Sequence, residues 1–239
     1  MQPNTNSSIA IPIAIVVGFA LIAGAIYFSG SRTSNTSQQA TQNQPAAERP
    51  AAVDIRPVDS SDYIRGNPNA PIMIVEYSDY DCPFCKNFHD TMKRIMDEFA
   101  VGGQVAWIYR QYPIVQLHPN APRISEAALC VGELAGQDGF WEFSDLIFSE
   151  REINAPTNML KLNGFAATAG ADSAEFETCL ASGRHKATVE ATLAEGSAAG
   201  IQGTPHSVII AGDQKAAING AQPYEVVRGI VSTLISQTQ

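Results

Sequence analysis

The sequence predicts an α/β domain that is interrupted by a helical insert and preceded by a transmembrane helix. Three observations support this prediction: an uncharged apolar run near the N-terminus, a β-α-β pattern ending near residue 118, and a β-β-α pattern beginning near residue 200. The residues between the two patterns show almost only helical periodicity. The predicted segments are a short tail (1–8), a membrane anchor (9–28), a flexible linker (29–57), an α/β domain in two parts (58–118 and 200–239) and the insert (119–199).

The composition is typical of a folded domain. The chain has 239 residues, of which 45% are hydrophobic and 16% are charged, so it can bury a substantial core. Its formal net charge is -9, and the first 31 residues contain no Lys, Arg, Asp or Glu. An acidic domain lacks the basic patch that binds nucleic acids or anionic membranes. We therefore expect no nucleic-acid partner.

The apolar run at residues 9–28 has the length of a membrane span. As a helix it would be about 30 Å long, which is enough to cross a bilayer core. The alternative is a cleaved signal peptide, for which Ser29-Gly30-Ser31 offers a small-x-small cleavage site. Signal peptides usually have a basic start and a shorter apolar stretch, so we expect an uncleaved single-pass anchor. We expect the residues after the run to lie outside the membrane, although Arg32, the nearest positive side chain, lies on that side and favours the opposite orientation. The polar, turn-rich residues 29–57 are typical of a linker.

The first β-α-β unit follows the turn-rich residues 66–71. It begins with the nearly continuous apolar strand 72–77, which suits a strand covered on both faces, and it ends with a strand at 105–112. Pro83 suits the first turn of the helix between them. That helix is amphipathic, because its apolar residues are spaced at four, three and four: Phe88, Met92, Ile95 and Phe99.

The insert and the closing unit are predicted from the same periodicities. Asp172 and Glu175 form a capping-box pattern at the start of the fourth insert helix. A Gly212-Asp213 turn joins the last two strands. The predicted insert helices span 124–134, 140–148, 157–169, 174–180 and a longer stretch from 185; the strands span 207–211 and 215–219, and the closing helix spans 224–235.

Cys82-Pro83-Phe84-Cys85 lies at the junction of a strand and a helix, where Cys-x-x-Cys indicates a redox pair. Free amides and the positive dipole end of the helix would stabilise Cys82 as the attacking thiolate. Cys85, one turn further on, is placed to resolve the resulting mixed disulfide. The alternatives are a structural disulfide and a zinc site with His89 as third ligand. Zinc ribbons need a second Cys-x-x-Cys, which the sequence lacks, so no metal site is predicted.

Cys130 and Cys179 lie 49 residues apart on two predicted insert helices, without a motif around them. We expect a structural bridge between the helices, with two buried free thiols as the alternative. Four cysteines allow three connectivities, and only this pairing keeps Cys82 with Cys85. Such a bridge would itself indicate an oxidising compartment.

Gly203-Thr204-Pro205 precedes the third strand and is a weak signal when taken alone. Together with Cys-x-x-Cys and the element order, it resembles the thioredoxin superfamily. Residues 66–237 resemble, more narrowly, the DsbA-like family of extracytoplasmic thiol oxidoreductases. The resemblance lies in the strand that leads through Ser78-Asp79-Tyr80-Asp81 to the cysteine motif, in Tyr109-Arg110-Gln111-Tyr112-Pro113, in Phe140-Trp141-Glu142-Phe143 and in Gly203-Thr204-Pro205.

This resemblance implies a thioredoxin-like domain with Cys82 as nucleophile and Cys85 as resolving thiol. It also implies that Pro205 is a cis proline and that Thr204 contacts substrate. Pro83 and Phe84, between the cysteines, and His206, next to Pro205, complete the predicted substrate-binding set. Glu76 falls where family members keep a buried carboxylate proposed to shuttle the proton of the inner cysteine; the alternative is an exposed glutamate at a strand edge.

The function implied by the resemblance is that of an oxidase. It would donate the Cys82–Cys85 disulfide to exported proteins with free thiols, would be reoxidised by a membrane quinone-linked partner, and would act as a monomer without a cofactor. A tethered metal or peptide carrier and a reductase or isomerase are the alternatives. Phe84 stands where the strongest oxidants of the family carry histidine, and Asp79 and Asp81 should raise the pKa of Cys82 relative to those members. A protonated His206 facing Cys82 would compensate in part.

Overall fold

The computed structural model describes residues 54–238. The predicted tail, the predicted anchor at 9–28 and the linker up to residue 53 lie outside these residues. Between residues 54 and 238, no helix combines the length and the apolar character that crossing a bilayer requires.

Five strands form one mixed sheet in the order β1-β3-β2-β4-β5. The parallel pair β2 and β3 comes from the first β-α-β unit, and the other pairs are antiparallel. All but one residue of the central strand β2 are buried, as its apolar sequence predicts. The strands are β1 (Tyr63–Gly66), β2 (Ile72–Ser78), β3 (Val105–Gln111), β4 (His206–Ala211) and β5 (Gln214–Asn219).

The helices are found where the periodicity predicts them. The two helices predicted at 124–134 and 140–148 form one element with a break at Gly136, whose φ of 72° is not helical. The side chain of Asp172 accepts hydrogen bonds from the amides of Ala174 and Glu175, so the predicted cap of α4 is present. The helices are α1 (Pro83–Phe99), α2 (Ala121–Glu150), α3 (Leu162–Thr168) after a 3₁₀ turn (Met159–Lys161), α4 (Ser173–Ser182), α5 (Lys186–Ala198) and α6 (Tyr224–Thr238).

The sheet separates two apolar clusters, because successive side chains of a strand point to opposite faces. Ile72 and Ile74 of β2 pack with α1 and α2 on one face. Val75 and Tyr77 belong to the cluster on the other face, which includes Val208 of β4. Glu76 therefore shares the α1 face with Ile72 and Ile74.

Two features at the start of the domain differ from the sequence-based expectation. Residues 54–57 were assigned to the linker, yet Ile55 is buried and the amide of Arg56 donates to Glu195 of α5 at 2.9 Å. The folded domain therefore begins before residue 58. The unpredicted strand β1 pairs with β3 and is held by Tyr63, whose ring stacks on Phe140 with centroids 3.9 Å apart.

Candidate active site

The two cysteines of the motif are free thiols at the start of α1. The turn that follows β2 delivers Cys82 as the N-cap residue, with an extended backbone, and its carbonyl accepts the Lys86 amide at 3.2 Å. Cys82 is 4% exposed and Cys85 is fully buried. Cys82 is therefore less open to solvent than its place at a helix start suggests, and Phe84, 63% exposed, is the most prominent residue of the motif.

The two thiols have opposite pKa shifts. Hydrogen bonding from the Cys85 thiol, followed by Thr204 and the amides of Cys85 and Phe84, lowers the pKa of Cys82 to about 6 although burial opposes this. Burial, together with the hydrogen bond to Cys82 and its charge, raises the pKa of Cys85 well above the ordinary value. At pH 7 the pair therefore holds one thiolate, on Cys82, and one thiol, on Cys85.

The loop before β4 contacts Cys82. The Thr204–Pro205 peptide is cis, as the resemblance implies. The sulfur of Cys82 lies 3.5 Å from the backbone carbonyl of Thr204. A groove of about 360 Å³ lies beside this loop and is lined by Thr204, Pro205 and His206 among others.

Glu76 lies on the central strand of the sheet, on the face that packs against α1. It is fully buried, so the alternative of an exposed strand-edge glutamate is wrong. Its Oε2 accepts a hydrogen bond of 2.9 Å from the indole of Trp107. Burial, the largest cause, raises the pKa of Glu76 to about 7, and its charge in turn contributes to the raised pKa of Cys85. A carboxyl group with this pKa can both accept and return a proton near neutral pH.

Asp79 and Asp81 organise the active-site turn. Asp79 accepts hydrogen bonds from the amides of Asp81 and Ile114, at 2.8 and 2.7 Å, and lies 2.9 Å from a ring nitrogen of His118. Asp81 accepts from the amide and hydroxyl of Thr157, at 2.8 and 2.6 Å. The pKa of the Cys82 thiol is lowered in their presence, and neither carboxylate is among the largest causes of its shift.

Two further charges near the site differ from the sequence-based expectation. Because β4 alternates, His206 shares the sheet face of Val208, opposite α1, and burial lowers its pKa. It therefore supplies no cation to Cys82 at neutral pH, and the compensating role suggested for it is wrong. Arg151, which no sequence motif marks, donates to the Cys82 carbonyl at 2.9 Å from 69 residues away.

Among the residues that the structure describes, the candidate metal ligands lie away from the motif. His89 is buried and bonded to Asp145 at 2.6 Å. Within residues 54–238, one group could offer three ligand atoms to a metal, namely Cys130, Cys179 and His185. Cys130 and Cys179 are joined as a disulfide between α2 and α4, which is the predicted bridge, so their sulfurs are not available as thiolates.

Comparison with known proteins identifies the family. A sequence model described as thioredoxin matches residues 59–232, which is most of the chain. The chain belongs to the thioredoxin family. The match spans the whole insert and most of both halves of the α/β domain, so this thioredoxin-family chain carries its redox motif, cis proline and insert as parts of one domain.

Solved structures show that this family member has the fold of DsbA-like proteins. BdbD from Bacillus subtilis has a TM-score of 0.66 at 21% identity, covering 77% of this chain and 98% of BdbD. Wolbachia pipientis α-DsbA1 has a TM-score of 0.64 at 19% identity over 76% of this chain and 94% of its own. Pseudomonas aeruginosa DsbA2 has a TM-score of 0.60 at 20% identity, covering 75% of this chain and 97% of DsbA2.

Curated sequence relatives carry a different name. A Na(+)/H(+) antiporter NhaA 1 from Salinispora arenicola is 29% identical over 150 residues, which are 62% of this chain and 22% of the antiporter. The antiporter NhaA 1 from Mycolicibacterium gilvum is 32% identical over 127 residues, 52% of this chain and 19% of its own length. The matched region is thus about a fifth of each antiporter.

Proposed function

We propose that this chain is an extracytoplasmic oxidase that donates the Cys82–Cys85 disulfide to the thiols of exported proteins. The observation that carries the proposal is the asymmetry of the pair. Cys82, with its lowered pKa, lies against the cis-proline loop, whereas Cys85, with its raised pKa, is fully buried and is acted on by the charge of Glu76. The asymmetry makes Cys82 the sulfur that the substrate attacks, Cys85 the leaving thiol and Glu76 the group that exchanges a proton with Cys85.

The proposed reaction transfers two electrons from substrate to protein in two exchanges. A substrate thiolate attacks the Cys82 sulfur of the oxidised pair, the Cys82–Cys85 bond breaks, and Cys85 leaves and takes a proton, for which protonated Glu76 is the buried donor. The second substrate thiolate then attacks the substrate sulfur of the mixed disulfide and expels Cys82 as a thiolate. The substrate gains a disulfide, and the protein ends with one thiol and one thiolate.

The low pKa of Cys82 favours this direction. A thiol with a low pKa is a good leaving group, so the second exchange releases Cys82 readily. The stabilised thiolate is present only after reduction, so it lowers the free energy of the reduced protein relative to the oxidised one. Both effects favour donation of the disulfide.

The surface around the motif suits an unfolded substrate. Phe84 is exposed next to Cys85, and Leu117 and Ile153 are exposed large apolar residues nearby. A cavity of about 390 Å³ lined by Pro83, Leu117 and Ile153 among others adjoins Asp81. Exposed apolar patches of this kind mark binding surfaces, and newly exported chains present apolar segments before they fold.

The proposed setting is the outer side of a membrane. Residues 9–28 would anchor the chain, and a quinone-linked membrane partner would reoxidise Cys82 and Cys85 after each turnover, with the chain acting as a monomer. The Cys130–Cys179 disulfide supports an oxidising compartment, because such bridges rarely persist in the cytosol.

Catalytic oxidation of a reduced model protein tests the proposal. The oxidised chain, in catalytic amounts with glutathione disulfide as terminal oxidant, should speed recovery of a protein whose activity depends on its disulfides, and Cys82→Ser should abolish the effect. Faster reduction of an already oxidised substrate, without faster oxidation of a reduced one, would indicate a reductase. Stoichiometric metal after anaerobic purification, together with no turnover, would indicate a carrier.

A further inference from the structure

We propose that Arg151 is a positioning residue for the redox pair, whose buried positive charge stabilises the Cys82 thiolate and makes the disulfide a stronger oxidant. Arg151 is the residue that follows α2, within the helical insert. The inference rests on the proposed function only in taking Cys82 and Cys85 as the redox pair. It assigns to the insert the cation that the Pro-Phe dipeptide does not provide.

The guanidinium of Arg151 is fixed against the residue that carries the nucleophile. The residue is 5% exposed, and its Nη2 donates to the Cys82 carbonyl at 2.9 Å. Its Nη1 donates to three carbonyls of the following loop, at 3.0 to 3.3 Å. Each of these contacts is to neutral backbone, and together they leave the charge no freedom to turn away from Cys82. The three loop acceptors are Glu152, Ile153 and Ala155.

This buried charge has no carboxylate in direct contact. Among residues 54–238, no carboxylate oxygen lies within 4.0 Å of the Arg151 nitrogens. Isolation from water is costly for a cation unless negative charge lies close by. The negative groups that act on it are, in decreasing order, Asp81, Cys82, Cys85 and Asp79. Of the two cysteines, Cys82 becomes anionic, and it does so only when the disulfide is reduced.

Reduction therefore gives Arg151 a partner that the oxidised protein lacks. Formation of the Cys82 thiolate places a negative charge beside a cation that is already held in position, so no reorganisation is needed. The same cation offsets Asp81, whose carboxylate is held by Thr157 on the same loop. This charge adds to the hydrogen bonds that lower the pKa of Cys82, and it offsets the two aspartates that precede the motif.

The competing interpretation is that Arg151 acts by holding the loop in place and not through its charge. Arg151 and Thr157 tie the two ends of the loop 151–157 to the active-site turn, through Cys82 and Asp81 respectively. If position alone matters, removing either tie should disturb the redox pair to the same degree. If charge matters, a lysine at position 151 should preserve most of the effect and Thr157→Val should have little.

The test measures the equilibrium of the full chain with reduced and oxidised glutathione, and the pH midpoint of the thiolate ultraviolet absorbance. We expect Arg151→Gln to shift the equilibrium about tenfold toward the disulfide, equivalent to about 30 mV, and to raise the thiolate midpoint. Arg151→Lys should retain most of the wild-type values. Arg184→Gln, which removes an equal charge from an arginine bound to Glu133, is the matched control and should change neither.

Four outcomes would overturn the proposal: no shift in Arg151→Gln, equal shifts in Arg151→Gln and Arg151→Lys, a shift in Thr157→Val as large as that in Arg151→Gln, or loss of the Arg151→Gln shift when Asp81→Asn is also present. The last would mean that Arg151 only cancels Asp81. If Arg151→Gln does not fold, the comparison of Arg151→Lys with Thr157→Val decides between charge and position. Failure of the chain to oxidise proteins would refute the proposed function but leave this charge effect measurable.

Discussion

The stability of the reduced protein should exceed that of the oxidised protein by an amount that grows with pH. The folded pKa of Cys82 is about 6, against an ordinary value of 9.0. A depressed acid pKa stabilises the folded state once pH exceeds the folded value, and the gain is lost as pH falls through it. The advantage of the reduced form should therefore be small at pH 5 and should rise between pH 6 and 8.

The size of this effect follows from the two pKa values of Cys82. At pH 7, about one unit above the folded value, the thiolate adds about 1.4 kcal/mol to the free energy of unfolding of the reduced form; at pH 8 it adds about 2.7 kcal/mol. Cys85 is protonated in the folded and unfolded states across this range, so it adds nothing. Glu76 titrates in both redox forms and largely cancels from the difference.

Denaturant unfolding of both redox forms of the full chain in detergent, at pH 5, 6, 7 and 8, measures this difference. Cys82→Ala is the control, because it lacks the titrating thiol and its unfolding free energy should follow that of the oxidised form with pH. A difference that stays flat from pH 5 to 8, or an oxidised form that is the more stable at pH 8, would refute the assignment of the thiolate to Cys82.

Three further predictions concern individual side chains. Cys85→Ser should accumulate mixed disulfides with exported proteins on non-reducing gels and Cys82→Ser should not, because only the Cys82 sulfur meets the cis-proline loop; equal trapping by both would contradict the roles. Replacing Cys130 and Cys179 together by alanine should lower the free energy of unfolding by about 2–4 kcal/mol while the folded fraction keeps its oxidase activity. Loss of activity as complete as in Cys82→Ser would contradict a structural bridge. Glu76→Gln should stabilise the protein by up to about 3 kcal/mol at pH 8 and by little at pH 4, because the raised pKa of Glu76 opposes folding once pH exceeds its unfolded value; it should also slow thiol exchange at pH 7 by about a hundredfold. Equal stability of Glu76→Gln and wild type at pH 8 would show that burial does not raise the pKa of the Glu76 carboxyl.

The fold was predictable where local pattern decides it. The four-three-four spacing from Phe88 to Phe99 corresponds to α1, and the apolar run of β2 corresponds to the buried central strand. The strand β1 was missed because four residues carry little pattern of their own. Its formation depends on pairing with β3 and on the stacking of Tyr63 on Phe140.

The site was predictable in its cysteines and less so in its electrostatics. Cys82, Cys85 and Pro205 are local motifs, and Glu76 interrupts an apolar strand. Charge effects depend on hydrogen-bond partners that are distant in sequence: Asp81 is held by Thr157, and Arg151 reaches Cys82 from the end of α2. Sequence shows the sign of each charge but not which charges the fold brings together.

The face on which a side chain lies was also misjudged at one position. His206 was expected on the side of the redox pair because it lies two residues after Thr204. The register of β4 with β2 instead places it opposite Tyr77, on the face that α1 does not cover. The approach of the loop to Cys82 is made by the Thr204 backbone, and backbone contacts have no sequence signature.

The reduction potential of Cys82–Cys85 tests the central claim most directly. It is obtained from the fraction of oxidised full chain at equilibrium with glutathione buffers of known potential. The pKa of about 6 at Cys82 lies between the values of about 7 in thioredoxin and about 3.5 in DsbA, which are accompanied by potentials of about −270 and −120 mV. The account predicts a potential between these limits, so that the disulfide is donated. A potential at or below about −270 mV would contradict an oxidase and identify the pair as a reductant.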